Sequence, residues 1–270
     1  MTRHLVFTLY APFGSWGAAS LSAANQAYRA TELSPPRSAL TGLIGAALGQ
    51  RRQELAELAQ MLLFDVREGL SPVRDLTPDY HTTTPGYPPT DRAKWTRFEE
   101  LRSYLMGTGP AGSIISRREY WSNGLWTVAV ASRVDDGVLD MIDRALGNPR
   151  WALYAGRKSC RLGLPPDPEI ITAEAPVEAH IRYGWPWDRH PDLPDQIRNW
   201  RDFIERRDAL RLLYDPDYPG APEPQRVRIR RDDPAGSGDP TGRFVRLFFE
   251  RREAEALISS RRGELSPGNC

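Results

Sequence analysis

Residues 113–132 read SIISRREYWSNGLWTVAVAS. β-branched and aromatic residues crowd its two halves, 113–121 and 125–132, and Ser122-Asn123-Gly124 lies between them. The Asn-Gly pair favours left-handed backbone in a tight turn, so the pattern predicts two strands joined as a hairpin. Downstream, Val138, Leu139, Ile142 and Leu146 recur at helical spacing over 134–146, and Gly147-Asn148-Pro149 ends that helix. Upstream, HLVFTLY at 4–10 alternates Leu5, Phe7 and Leu9 against Val6, Thr8 and Tyr10 and predicts a first strand. A helix follows over about 35–49, with Ser34 as its cap and Pro35 in its first position. Gly42, Gly45 and Gly49 within it predict a close approach to the sheet beneath. Residues 52–60 predict a short amphipathic helix, and MLLFDVRE at 61–68 a largely buried second strand.

The order is therefore strand, helix, strand, then strand, strand, helix, with a further strand expected at 177–183. This is an α+β arrangement close to the ferredoxin-like or RNA-recognition-motif (RRM-like) fold. Between its halves, residues 71–113 hold Pro72, Pro78, Pro85, Pro88, Pro89 and Pro110 and show no sustained period, which predicts a long protruding insertion. Beyond 165 the chain is rich in proline, broken by a helix near 194–206 and short strands at 209–214 and 226–231. The expected organisation is a core over 1–175 and a small, irregular β-rich C-terminal domain over 176–270.

With 270 residues, 40% of them hydrophobic and 26% charged, the chain has a globular composition, and disordered and fibrous classes are excluded. No apolar stretch approaches the ~18 residues of a membrane span, and no signal-peptide pattern opens the chain, so a cytoplasmic protein is expected. Cys160 and Cys270 are too few and too far apart for a disulfide framework or a zinc knuckle, so neither a structural metal nor a cofactor is expected. The net charge of +1 does not announce a nucleic-acid binder. Its basic residues are more telling: only Lys94 and Lys158 are lysine, and arginine suits forked phosphate contacts and stacking on bases. A compositional bias would produce the same excess.

GLIGAALG at 42–49 lacks the spacing of a phosphate loop or a dinucleotide fingerprint and reads as helix packing. Arg37-Ser38 stands at the start of that helix, where free N–H groups and the dipole favour an anion. The densest candidate is RWALYAGRKSCR at 150–161, where Arg150, Arg157, Lys158 and Arg161 interleave with Trp151 and Tyr154, a pattern suited to single-stranded RNA. The alternative turns Trp151 and Tyr154 into the core. Arg117-Arg118 and the stripe Arg226, Arg228 and Arg230, with Arg231, would extend the same surface. For catalysis, His4, His180 and His190 lack a partner at motif spacing, and Asp135-Asp136 and Asp232-Asp233 read as a helix start and a turn. His81, beside Tyr80 and Thr82, is the exception and would suit a metal-independent ribonuclease; a hydrogen-bonded structural histidine is its alternative.

Taken together, Ala11-Pro12-Phe13-Gly14-Ser15-Trp16-Gly17, Arg29-x-Thr31, Pro35-x-Arg37-Ser38-x-Leu40-x-Gly42-Leu43-x-Gly45, Asp79-Tyr80-His81-Thr82, Arg118-Glu119-Tyr120 and Tyr154-x-Gly156-Arg157-Lys158-Ser159-Cys160 resemble the Cas-five family, in its type I-E CRISPR Cascade branch. The resemblance covers residues 1 to about 165. It implies an RRM-like core with a thumb at about 77–113, gripping the 5′ handle of the CRISPR RNA. It also implies docking to the CasC backbone subunits and the CasA large subunit, with target DNA met only through the complex and no membrane contact. Carried over by motif, Arg37, Ser38, Arg118, Tyr154, Arg157 and Lys158 are expected handle contacts, with Arg29 and Arg117 beside them and His81 and Thr82 at the thumb base. Type I-C relatives cut precursor RNA with a base and a lysine-histidine pair. Arg117-Arg118 stands where that pair is expected here, and arginine does not readily exchange protons, so the resemblance implies a non-catalytic subunit. Residues 184–224 depart from the compact members.

Overall fold

The computed structural model describes residues 1–18, 28–83, 114–234 and 248–259. Its first strand, β1 (Thr2–Gly14), is flanked on both sides, by β9 (Trp121–Ser132) and by β10 (Glu169–Ala173), antiparallel in each case. β9 pairs on its far side with β5 (Leu62–Leu70). Helix α1 (Arg37–Leu48) connects β1 towards β5, and α3 (Gly137–Gly147) connects β9 to β10. The result is a mixed α+β fold built on a large antiparallel sheet.

Alternation along β1 sets two cores. Leu5, Phe7 and Leu9 join Phe64, Val66, Trp126, Val128 and Val130 under Leu40 and Ile44 of α1 and Leu139, Ile142 and Leu146 of α3. On the other face Val6, Leu63, Ala129 and Ala131 meet Ala179 and Tyr183 of helix α4 (Pro176–Tyr183). A strand covered on both faces reads as a near-continuous apolar run, as 4–10 does with only His4 and Thr8 polar. Each buried Leu or Phe contributes about 1.5–3 kcal/mol.

The second face also holds a buried polar chain. His180 Nε2 lies 2.8 Å from Asp65 Oδ1, and His180 Nδ1 lies 2.9 Å from Thr127 Oγ1. Arg67 Nε donates to Thr127 Oγ1 at 3.0 Å, and its guanidinium lies over the Trp185 ring. Burial pushes the Asp65 carboxyl up to about 8 and His180 well below the usual imidazole range, with the Arg67 charge adding to the latter. Both changes favour a neutral pair sharing one proton.

Several expectations are corrected. The hairpin at Ser122-Asn123-Gly124 does not form: β9 runs straight through it. Asn123 takes left-handed backbone (φ 56°) within the strand, and a Cβ on Gly124 would meet the Trp126 ring at 2.0 Å. Thirteen-residue β1 offers partners from Leu5 opposite Val130 to Gly14 opposite Trp121, flanking Asn123 with Ala11 opposite Gly124 and Phe13 opposite Ser122, and that pairing outweighs the local turn preference. Residues 177–183 are helical, with Pro176 at the helix start, Val177, His180 and Tyr183 buried at a spacing of three, and Gly184 (φ 77°) ending the helix. The helix-start position before α1 falls to Pro36, while Ser34 Oγ accepts from Arg211 at 2.8 Å. A Cβ on Gly45 would strike Leu55 of α2 (Leu55–Met61) at 2.3 Å, so that glycine admits a neighbouring helix and not the sheet.

The C-terminal strands do not stand apart. β11 (Ala209–Tyr214) pairs with β5, and β13 (Phe248–Ser259) lies between β11 and β12 (Arg226–Pro234), so the sheet runs β10-β1-β9-β5-β11-β13-β12. The helix near 194–206 forms as α6 (Asp195–Glu205), after the short α5 (Pro186–Arg189). Of the expected insertion, β6 (Val73–Arg74) and β7 (Asp79–Thr83) are strands, and residues 84–113 lie outside the described residues. No helix among the described residues is long and apolar enough to cross a membrane.

Candidate nucleic-acid interface

Carbonyls at the C-terminal end of α1 accept from the loop that follows α3: Arg150 N–H donates to Ala47 O at 2.9 Å and Trp151 N–H to Ala46 O at 3.2 Å. The helix end thus anchors the 150–161 loop. The loop then folds on itself, with Tyr154 bridged to Arg161 and Ala155 N–H donating to Cys160 O at 2.7 Å. Gly156 takes φ 82°, and a Cβ there would meet the Ser15 carbonyl oxygen at 2.0 Å. This contact brings Arg157 to the end of β1, where its Nε donates to Ser15 Oγ at 3.1 Å and its guanidinium carbon lies 5.3 Å from the Tyr120 ring centre. Phe13 stacks on Tyr120 at 4.6 Å and stays 39% exposed. Lys158 is exposed beside them.

Ser15 Oγ donates to the backbone carbonyl of Glu119 at 2.9 Å. Glu119 is itself a junction. Its N–H donates to Arg29 O at 3.0 Å, and its carboxylate accepts from Thr31 N–H at 3.0 Å, from the Tyr28 hydroxyl and from Arg74. Burial works against that carboxylate, but Tyr28, Thr31 and Arg74 together hold it below the usual range.

Glu119 sits just after β8 (Ile114–Arg118), the middle strand of a three-stranded sheet between β3 (Tyr28–Arg29) and β7. Arg117 and Arg118 project from opposite faces. Arg117 shares a face with Tyr28, Tyr80 and Thr82, whereas Arg118 shares the other with Arg29, Asp79, Ser116 and His81. His81 Nε2 lies 2.6 Å from Asp79 Oδ2, so it has a carboxylate partner but not Tyr80, which points the other way.

Arg157, Lys158 and Tyr154 on the loop, and Arg29, Arg117, Arg118, His81 and Thr82 on the small sheet, are therefore tied to one region through Ser15 and Glu119. Arg37 and Ser38 are not. Arg37 is only 5% exposed; it pairs with Asp215, donates to Leu62 O at 2.7 Å and lies over the Phe64 ring, so it braces the interior and offers no surface contact. Ser38 lies half-buried in the first turn of α1. The stripe at 226–230 is not an open basic surface either: Arg228 and Arg230 both donate to Glu253, at 2.6 and 3.1 Å, and Arg226 stands opposite Glu255. Trp151 is 46% exposed and Tyr154 half-buried, so the aromatics of the loop do not retire into the core. Cys160 does; burial pushes its thiol pKa up, and it fills space. No group of three or more His, Cys, Asp or Glu among the described residues comes together to hold a metal ion.

A family model described as CRISPR-associated protein (Cas_Cas5) matches residues 4–252. The chain belongs to the Cas_Cas5 family. A curated relative, the CRISPR system Cascade subunit CasD of Escherichia coli (strain K12), is 26% identical over 197 residues, covering 68% of this chain and 78% of the relative. Two solved structures share the Cas_Cas5 chain's fold. A chain of a CRISPR RNA-guided surveillance complex matches with a TM-score of 0.58 at 23% identity, over 95% of this chain and 90% of that one. A structure described as a Cas protein matches at 0.53 and 21%, over 95% of both chains.

Within this Cas_Cas5 chain, sequence reading missed Glu119 and Ser15 as the residues that join the motifs. The signal was present, since both lie inside motifs already singled out, but their partners are up to 142 residues away. It also missed Phe13 and Tyr28 as exposed rings; an aromatic at a strand end carries no mark of which way it faces.

Proposed function

We propose that this chain is a non-catalytic CRISPR RNA-binding subunit of a type I-E Cascade-like surveillance complex. It grips the 5′ handle of the guide RNA and docks to the CasC backbone and CasA large subunits, meeting target DNA only through the assembly. The observation that carries this reading is the clamp Arg157–Ser15–Glu119, which gathers Arg29, Arg117, Arg118, Arg157 and Lys158 with exposed aromatics in one region. Arginines suit phosphate oxygens and rings suit unpaired bases, which is how single strands are held without a catalytic group. The sheet order β10-β1-β9-β5 supports a ferredoxin-like, RRM-like core over residues 1–175, with 176–270 extending its sheet. Arg37 enters as an internal brace. The thumb proposed for about 77–113 falls mostly outside the described residues.

Titration of the purified protein with labelled 5′-handle RNA tests this. Arg157→Ala and Lys158→Ala weaken binding and reduce its salt dependence; binding of the handle no tighter than of an unrelated hairpin overturns it. One observation favours a second reading, a metal-independent ribonuclease: the His81 imidazole lies within 2.6 Å of the Asp79 carboxylate. Cleavage of repeat RNA in EDTA that is lost in His81→Ala would establish it.

A further inference from the structure

Register in the small sheet puts three exposed side chains in one row. Tyr28 of β3 stands opposite Arg117 of β8, and Arg117 stands opposite Tyr80 of β7. Residues so paired project from the same face. Tyr28 is 49% exposed, Tyr80 56%, and Arg117 is exposed between them. With strands about 5 Å apart, the backbone positions that carry the two rings lie about 10 Å apart, with that of Arg117 between them. The nearest acid of β7, Asp79, projects from the opposite face, where His81 accompanies it. Thr82 adds a hydroxyl on the exposed face.

The row is also held in place. The Tyr28 hydroxyl donates to Glu119, whose carboxylate is fixed in turn by Thr31 and Arg74. Ring, cation, ring is what two unpaired bases and their linking phosphate require: a π-face for each base and a positive charge beneath the connection. We propose that Tyr28, Arg117 and Tyr80 form a stacking platform for two consecutive unpaired ribonucleotides, with the phosphate between them over Arg117. The proposal rests on the RNA-binding reading and adds to it a subsite and two residues, Tyr28 and Tyr80, that act through their rings. A nucleic-acid strand is favoured over a protein surface because the centre of the row is an exposed cation, while Glu119, the acid that meets the row, is buried and already taken up by Tyr28, Thr31 and Arg74.

Fluorescence titration of the full chain with a handle RNA carrying 2-aminopurine tests it. Tyr80→Ala raises Kd about 5- to 150-fold, corresponding to the ~1–3 kcal/mol of one stacked base, and relieves 2-aminopurine quenching. Tyr80→Phe restores both, because the ring and not the hydroxyl does the stacking. Arg117→Ala probes the row without removing a ring: it weakens binding and lowers the salt slope by about 0.7. Unchanged binding by Tyr80→Ala and Arg117→Ala, alongside weakened binding by Arg157→Ala, overturns the platform and leaves the RNA reading standing. If Arg157→Ala is unchanged as well, the RNA reading falls with it. If Tyr80→Ala loses only its association with other subunits, the platform is overturned and the face belongs to a protein.

Discussion

Arg157 Nε donates to Ser15 Oγ at 3.1 Å across 142 residues of chain. Because that bond occupies Nε, the guanidinium edge carrying the two terminal nitrogens is set in one orientation, and the hydroxyl it uses is itself fixed on Glu119. An arginine so oriented loses less freedom on meeting a phosphate than one waving from a surface.

The loop depends on Gly156. With φ at 82° and the Ser15 carbonyl where a Cβ would sit, Gly156→Ala combines backbone strain with a clash against main chain. We expect it to cost about 1–3 kcal/mol of stability by urea titration and to lower handle affinity more than Lys158→Ala does. A variant as stable as the parent would show that the loop has an alternative path.

Glu119→Ala leaves the Thr31 N–H and the Tyr28 hydroxyl without their acceptor and Arg74 without its counter-charge. The expected loss is about 2–3 kcal/mol, with Glu119→Gln losing less. The sign with pH follows from the lowered carboxyl. Stability from this group is complete above its unfolded value and fades as pH falls through the lower folded one. A plot of melting temperature below pH 5 should therefore be flatter for Glu119→Gln than for the parent.

Arg37 and Asp215 form a buried pair, so Arg37→Ala strands a carboxylate that burial already pushes towards protonation against the pull of Arg37 and Arg251. A loss of about 3–5 kcal/mol is expected in denaturant unfolding. Loss of RNA affinity without loss of stability would restore Arg37 to the surface role its motif suggests.

The neutral Asp65–His180 pair holds one proton when folded. Unfolded, the same two groups hold one proton between pH 4 and 6.5 and none above 6.5, so folding binds an extra proton from 6.5 to the folded Asp65 value of about 8. Stability falls by about 2 kcal/mol over that interval. Below 6.5, His4, whose imidazole burial lowers, makes stability rise with pH. Asp65→Asn should remove the alkaline decline in urea titrations.

Local patterns were readable and long-range ones were not. The first strand, α1, α3 and α6 follow from spacing within a dozen residues, and the 150–161 loop declared itself by composition. The Asn-Gly signal failed because β1 lies 110 residues upstream and holds the chain extended. Helix α4 failed because Val177, Ala179, Ile181 and Tyr183 alternate with Glu178, His180 and Arg182, a period of two that a strand would also show. Arg37 looked like an anion contact because Asp215, which takes it, is 178 residues away. The clamp was legible in its parts alone: the motifs named Ser15, Glu119 and Arg157, and only the packing of β1 against β9 joined them.

The placement of β1 has a consequence for synthesis. It is made well before β9, since the residue that lies beside Leu5 is Val130, and at translation rates of about 5–20 residues per second that partner arrives on the order of ten seconds later. Until then a thirteen-residue ribbon, greasy on either side, has α1 within reach but no neighbouring strand to bond its edges. Nascent chains of this protein should be strong clients of chaperones that hold extended apolar segments, and the order of the strands along the gene makes maturation slow.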